Sequence, residues 1–354
     1  MSKLRAAFVA VSIAAAFAAC GTTSSGPAKT GQPATSSGSE VSASSSSVAT
    51  PTNVTVQVGV NDPSKPNIAV LAYMPAKVTV EVGAPVDFNW TGTIEPHSVT
   101  FLAPGQVLPA PGSDQSLFAP TPAKGPIDGT TFVNSGLAPL GPAAVPPMEV
   151  TFAKAGEYQF HCVIHPQMLG TVEVVDKGAS GTDTPAAALS RGGDEQKQWL
   201  DEGRKAEADF AKQSPVSTKN ADGSTTWKVH MGASTAHTDI LEFQPVPAEV
   251  KAGDTVTFVN DSGAPHTASF FGTTAPITNP TDPRTDQPAP GASPQPLDAT
   301  SFFNTGLLPP NAPPGGGPPE AARSFSFVVP KAGTYAYVCI LHVSSGMAGS
   351  VKAA

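Results

Sequence analysis

The sequence predicts an all-β chain in which two tandem β-sandwiches are joined by a partly helical linker. Three observations carry this reading. Short runs such as Val54, Val56 and Val58, or Val78, Val80 and Val82, have the two-residue apolar period of half-buried strands. The 33 Gly and 38 Pro among 354 residues punctuate those runs with turns and leave little room for long helices. The same segments then return in the same order in the second half of the chain, the mark of two copies of one fold.

Three echoes define the repeat. Pro75-Ala76-Lys77-Val78, Gly83 and Val86-Asp87-Phe88 return as Pro247-Ala248-Glu249-Val250, Gly253 and Val256-Thr257-Phe258. Thr131-Phe132-Val133-Asn134-Ser135-Gly136-Leu137 returns as Ser301-Phe302-Phe303-Asn304-Thr305-Gly306-Leu307, and Lys154-Ala155-Gly156-Glu157-Tyr158 as Lys331-Ala332-Gly333-Thr334-Tyr335. The expected domains are therefore 52–176 and 223–354, each of ordinary size for a sandwich with its own core.

The N-terminus reads as an export signal over 1–19. Lys3 and Arg5 precede a short run of small apolar residues that ends at Cys20, too short to span a bilayer comfortably. Phe17-Ala18-Ala19-Cys20-Gly21 resembles a bacterial lipobox, which implies cleavage before Cys20 and lipid attachment to it; the alternative is a secreted, cleaved protein. Over 20–51 roughly half of the residues are Ser or Thr, and aromatic residues are absent, so this stretch reads as a disordered tether that cannot bury enough apolar area to offset its ordering entropy. The expected location is the outer face of the cytoplasmic membrane or the periplasm and cell envelope, held to the bilayer by the anchor, or otherwise secreted.

Between the domains, 177–222 is a charged linker whose helical stretch is expected over about 186–212, with Trp199, Leu200 and Phe210 as sparse apolar positions. Gly192, Gly193 and Gly203 weaken that helix, which reads as a solvated spacer or as a strut. Pro-rich inserts at 102–129, 138–148, 272–298 and 308–320 read as long loops outside the sheets. Twenty Lys and Arg against 28 Asp and Glu give a formal charge of -8 with no basic tract, which argues against nucleic acid as a partner.

The chemistry lies in two constellations. His97 is followed by Cys162, His165 and Met168 in Cys162-Val163-Ile164-His165-Pro166-Gln167-Met168. His266 is followed by Cys339, His342 and Met347 in Cys339-Ile340-Leu341-His342-Val343-Ser344-Ser345-Gly346-Met347. Two imidazoles, a thiolate and a weak axial thioether are the soft donor set of a blue-copper electron-transfer site. A strand ending near Phe160 delivers Cys162, a turn stiffened by Pro166 returns His165 and Met168, and His97 comes from another strand end. In an exported protein Cys162 and Cys339 could instead form a disulfide, but each lies in a matching ligand loop.

Both copies resemble cupredoxins, the plastocyanin, azurin and amicyanin family of type 1 copper proteins. The Cys-x2-His-x2-Met loop is similar to that of amicyanin and the Cys-x2-His-x4-Met loop to that of plastocyanin. The resemblance covers roughly 52–175 and 224–354, and implies Greek-key sandwiches, two type 1 copper ions per chain and redox proteins as electron donor and acceptor. It also implies His97, Cys162, His165 and Met168 at one metal, and His266, Cys339, His342 and Met347 at the other, with no catalytic residues. Other classes stay open: a copper nitrite reductase or oxidase, or a copper-binding and delivery protein. His161, adjacent to Cys162, is placed like a type 2 copper ligand of nitrite reductases, and His230 and His237 could assist it; a surface or locally hydrogen-bonded role is the plainer reading of all three.

Overall fold

The computed structural model describes residues 52–111, 114–140, 143–245, 250–275, 284, 293–297, 300–311 and 317–354. The signal, Cys20, the tether up to Pro51, the Pro247–Glu249 part of the first echo and the middle of the later Pro-rich inserts lie outside these residues. Within them the architecture is predominantly β-sheet with one long helix. No helix among the described residues is long and apolar enough to cross a membrane.

The first half contributes β1 (Val54–Asn61), β2 (Ile68–Met74), β3 (Lys77–Glu81), β4 (Pro85–Asn89), β5 (Thr100–Phe101), β6 (Val133–Asn134), β7 (Met148–Thr151), β8 (Gly156–His161) and β9 (Leu169–Val175). After α1 (Pro185–Phe210) come β10 (Val216–Lys219), β11 (Thr225–Ser234), β12 (Thr238–Gln244), β13 (Thr255–Val259), β14 (Ser269–Phe270), β15 (Gln295–Pro296), β16 (Phe303–Asn304), β17 (Ser324–Val328), β18 (Gly333–Val338) and β19 (Ala348–Ala353).

Pairing follows the sequence echoes. β1 runs antiparallel to β2 and parallel to β4, and β11 runs antiparallel to β12 and parallel to β13. Each half has a further sheet, β3-β9-β8-β5-β6 in the first and β16-β14-β18-β19 in the second. Alternating residues of the facing strands fill two clusters. One is centred on Phe88, Phe152 and Phe160, the other on Phe258, Phe327 and Tyr337.

The halves are not beads on a string. β2 pairs antiparallel with β12, so a single ten-stranded sheet runs from β15 to β7 through both. Every residue of β2 is buried, because one side of the strand faces the cores while Val70, Ala72 and Met74 meet Trp199 and Leu200 of the helix. This continuous apolar run, rather than an alternation, is what a strand covered on both faces requires.

The helix starts one residue before the expected 186, with Thr184 accepting from the Ala187 N–H at 3.2 Å and Pro185 in the first turn. It lies against β1, β2 and β12 instead of standing in solvent as a free spacer. Its glycines explain the close approach: a Cβ on Gly203 would sit 2.6 Å from an Ile68 methyl and 2.5 Å from a Thr238 methyl, and one on Gly192 would meet the Met74 carbonyl oxygen at 2.8 Å. Residues that lower intrinsic helix propensity are thus the ones that let the helix seat on the shared sheet.

Candidate metal centres

Each centre is assembled from one strand end and one tight loop. β8 ends at His161 and hands the chain to Cys162; the Met168 N–H returns to the His165 carbonyl at 2.9 Å and the Cys162 N–H to the Met168 carbonyl at 3.1 Å. The second loop closes likewise, with the Met347 N–H on the His342 carbonyl at 3.1 Å and the Cys339 N–H on the Met347 carbonyl at 3.0 Å. The upstream histidines are fixed through their own backbones. His97 exchanges two hydrogen bonds with Ala138, at 2.8 and 2.9 Å, and His266 pairs in the same way with Leu308.

The His and Cys side chains converge in two groups. His97, Cys162 and His165 place their ligating atoms within 4.8 Å of one another, as do His266, Cys339 and His342, and all six are buried. In the first group His97 Nδ1 lies 3.0 Å from His165 Nδ1, and Cys162 Sγ lies 3.4 Å from His165 Nδ1. In the second, Cys339 Sγ lies 3.2 Å from His342 Nδ1 and 3.5 Å from His266 Nδ1. Met168 and Met347 are buried in the same two cores as the cysteines. Both cysteines are free thiols, so the disulfide alternative falls away.

Two neutral imidazoles that turn Nδ1 atoms toward each other can share one proton, one ring donating to the other, and with both protons on Nε2 the two Nδ1 lone pairs are free to bind a cation. Burial favours that neutral form. Desolvation holds His97 well below its ordinary value, with the neighbouring His165 adding to the effect. Desolvation likewise takes His165 down to about 4, against an opposing pull from Asp239. His342 is also pushed well down, first by burial and then by the surrounding histidines. At His266 burial works downward, yet Asp239 and Cys339 outweigh it and raise the group to about 9. Burial raises the Cys162 thiol, while at Cys339 the hydrogen bond and charge of His266 overcome burial and lower it. A buried donor set of nitrogen and sulfur suits a thiophilic transition metal better than magnesium or calcium.

Sequence reasoning missed the residues that hold the thiols. Ser98 donates its N–H to Cys162 Sγ at 3.4 Å, and its hydroxyl accepts the Val163 N–H at 3.0 Å. Thr267 does the same for Cys339 Sγ at 3.4 Å and the Ile340 N–H at 3.0 Å. The signal was a hydroxyl residue directly after each upstream histidine. Asn134 and Asn304, inside the second echo, accept from Thr100 at 2.9 Å and Ser269 at 2.8 Å and so tie that segment to the short strand that follows each upstream histidine.

The remaining candidates do not join a cluster: among the described residues only the two triads bring three ligating groups together. His161 is partly buried on β8, opposite Thr100. His230 pairs with Asp261, and His237 stacks on Trp199 with ring centroids 4.4 Å apart. Trp90 is buried and donates its Nε1–H to the His97 carbonyl at 3.2 Å.

No family model matches the chain. It resembles the plastocyanin of Scenedesmus fuscus, 30% identical over 116 residues that make up 33% of this chain and 90% of that protein. It also resembles the chloroplastic plastocyanin of Oryza sativa subsp. indica, 29% identical over 37% of this chain and 65% of that one. Among solved structures, an oxidised amicyanin variant aligns at 20% identity over 35% of this chain and 82% of its own, with a TM-score of 0.22. The Cu(I) form of another amicyanin variant aligns at 20% over 35% and 84%, with a TM-score of 0.23. With the extent of the Scenedesmus match added to two His/Cys triads, the chain belongs to the plastocyanin family.

Proposed function

We propose that this protein is an exported, lipid-anchored carrier of single electrons with two type 1 copper centres, one in each of two Greek-key sandwiches at 52–176 and 223–354. The observation that supports this best is the duplicated cage, a buried Cys and two converging Nδ1 atoms produced twice by the same fold positions. His97, Cys162 and His165 would hold one ion and His266, Cys339 and His342 the other, with Met168 and Met347 as axial donors. Copper bound there supplies one-electron exchange between its two oxidation states.

The protein's own part is to keep the donors from moving. Backbone bonds close each ligand loop, Ser98 and Thr267 clamp the sulfurs, and burial of all four imidazoles excludes water. Little rearrangement between oxidation states is what fast electron exchange requires, and relatedness to plastocyanins supports a non-enzymatic role. Cleavage before Cys20 and its lipidation would hold the protein outside the cytoplasmic membrane, where redox proteins would serve as donor and acceptor. Ile94, Leu140 and Val343 are exposed apolar residues beside the second loop and offer such a protein a contact face.

Copper analysis and visible absorption of the exported chain test the reading. Two coppers per chain and an intense thiolate-to-copper band are expected, and Cys162→Ser and Cys339→Ser should each remove one copper and half of the colour. A colourless copper-loaded chain would sink the reading.

A further inference from the structure

The two centres differ in what stands behind their imidazoles. Once Nδ1 faces a metal, Nε2 carries the proton and needs an acceptor, and a carboxylate there makes the imidazole a stronger donor. Glu95 Oε2 lies 3.2 Å from His342 Nε2, and Asp239 Oδ2 lies 3.8 Å from His266 Nε2. Both carboxylates are buried. The Nε2 atoms of His97, His165 and His266 are all buried without a hydrogen-bond partner, so what sets the second centre apart is the close approach of carboxyl groups, Glu95 above all.

The repeat shows how this difference arises. Glu95 stands two residues before His97, and the residue two before His266 is Ala264. Asp239 faces Ser234 just beyond the irregularity in β11, and the residue facing Asn61 at the same point of β1 is Ala69. Ala69 and Asp239 are direct partners where β2 meets β12, so equivalent positions lie side by side with an acid in one half only. Glu95 also crosses between halves: it belongs to the first, yet it meets His342 and accepts from the Ser345 hydroxyl in the second ligand loop.

We propose that Glu95 of the first half is a positioning residue for the second centre. By standing 3.2 Å from His342 Nε2, it makes the second centre favour Cu(II) over Cu(I) relative to the first. The inference rests on the copper reading above. An oxygen acceptor beside Nε2 makes an imidazole a stronger donor and so favours the more highly charged ion, and among the described residues no carboxyl group pairs with either first-centre imidazole. Asp239 also exerts its charge on His165, so Glu95 is the group that discriminates between the centres.

Stepwise addition of dithionite to the copper-loaded full chain, followed by visible absorption, tests this. Cys162→Ser and Cys339→Ser chains supply the separate spectra. The first centre should bleach before the second; simultaneous bleaching or the reverse order overturns the proposal. In the Cys162→Ser background, Glu95→Gln should raise the ratio of Cu(I) to Cu(II) affinity at the second centre about tenfold. In the Cys339→Ser background the same change should leave the first centre within about twofold, because neither first-centre imidazole touches Glu95. A Glu95→Gln effect of equal size at both centres, or none at either, overturns the assignment while leaving the copper reading intact. If Glu95→Gln does not fold, Glu95→Asp, which draws the carboxyl group back from Nε2, is expected to move the second centre in the same direction, and no movement there overturns the assignment. Absence of colour in both single-Cys chains would instead defeat the copper reading, and this inference with it.

Discussion

Ser98 holds Cys162 from two directions, with its backbone N–H on the sulfur at 3.4 Å and its hydroxyl on the N–H of the following Val163 at 3.0 Å. The first contact favours a thiolate and the second fixes the loop that presents it. Ser98→Ala keeps the first and removes the second, leaving a buried N–H unpaired, which costs about 1–3 kcal/mol. Urea denaturation should show that loss, and Thr267→Val should show it at the other centre. A loss below about 0.5 kcal/mol in both would mean that the hydroxyls do not anchor the loops.

Gly59 lies beneath the first centre at a φ of +62, where β1 and β2 shift register between Val58 and Val60. A Cβ there would lie 2.3 Å from His97 Nε2. Gly59→Ala must therefore displace the imidazole as well as strain the backbone. Copper binding at the first centre should fall by at least about tenfold while the second centre keeps its spectrum. Equal loss at both centres would place the damage in the shared sheet instead.

The two His/Cys triads were legible because tight loops write their geometry into spacing: Cys162 and His165 are close in sequence, as are Cys339 and His342, and a Pro-His step, Pro96-His97 and Pro265-His266, stands upstream of each loop. The two cores were legible from period-two alternation at Val78 and Val80 or Val256 and Phe258. The β2–β12 pairing was not, since its contacts join residues such as Ala69 and Asp239 that no local pattern relates. Nor was Glu95 legible as a neighbour of His342, because a contact between halves depends on how the shared sheet orients them. Gly203 carried a misleading signal: propensity speaks against a helix there, and only the facing Ile68 and Thr238 give the reason for it.

That position makes a sharp test of the helix docking. On an exposed helix, Gly→Ala stabilises by about 1 kcal/mol. Gly203→Ala instead drives a methyl into Ile68 and Thr238, and overpacking of this kind costs about 1–3 kcal/mol. Gly193, where an added Cβ would meet nothing within 4 Å, is the internal control. Gly193→Ala should raise the urea midpoint and Gly203→Ala should lower it. A rise in both would show that the helix does not sit on the sheet as described.

Acidification should destabilise the metal-free chain through its histidines. His97, His165 and His342 are held below the unfolded value of 6.5, and His165 reaches about 4. Between those pH values the unfolded chain binds more protons than the folded one, so stability is lost as pH falls from 6.5 toward 4 and is unaffected by these groups above 6.5. His165 alone contributes a loss on the order of 3 kcal/mol once pH is below 4. On the alkaline side His266 is raised to about 9, so the folded state keeps a proton that the unfolded chain loses above 6.5, and the stability this contributes is lost as pH rises toward 9; the lowering of the Cys339 thiol acts in the opposite direction. Chemical denaturation of the metal-free chain should therefore give a free energy that falls as pH drops below about 6.5. With copper bound, protons must compete with the metal for Nδ1, and the acid limb should shift to lower pH. A metal-free chain as stable at about pH 5 as at about pH 7 would mean that these imidazoles are hydrated and not enclosed.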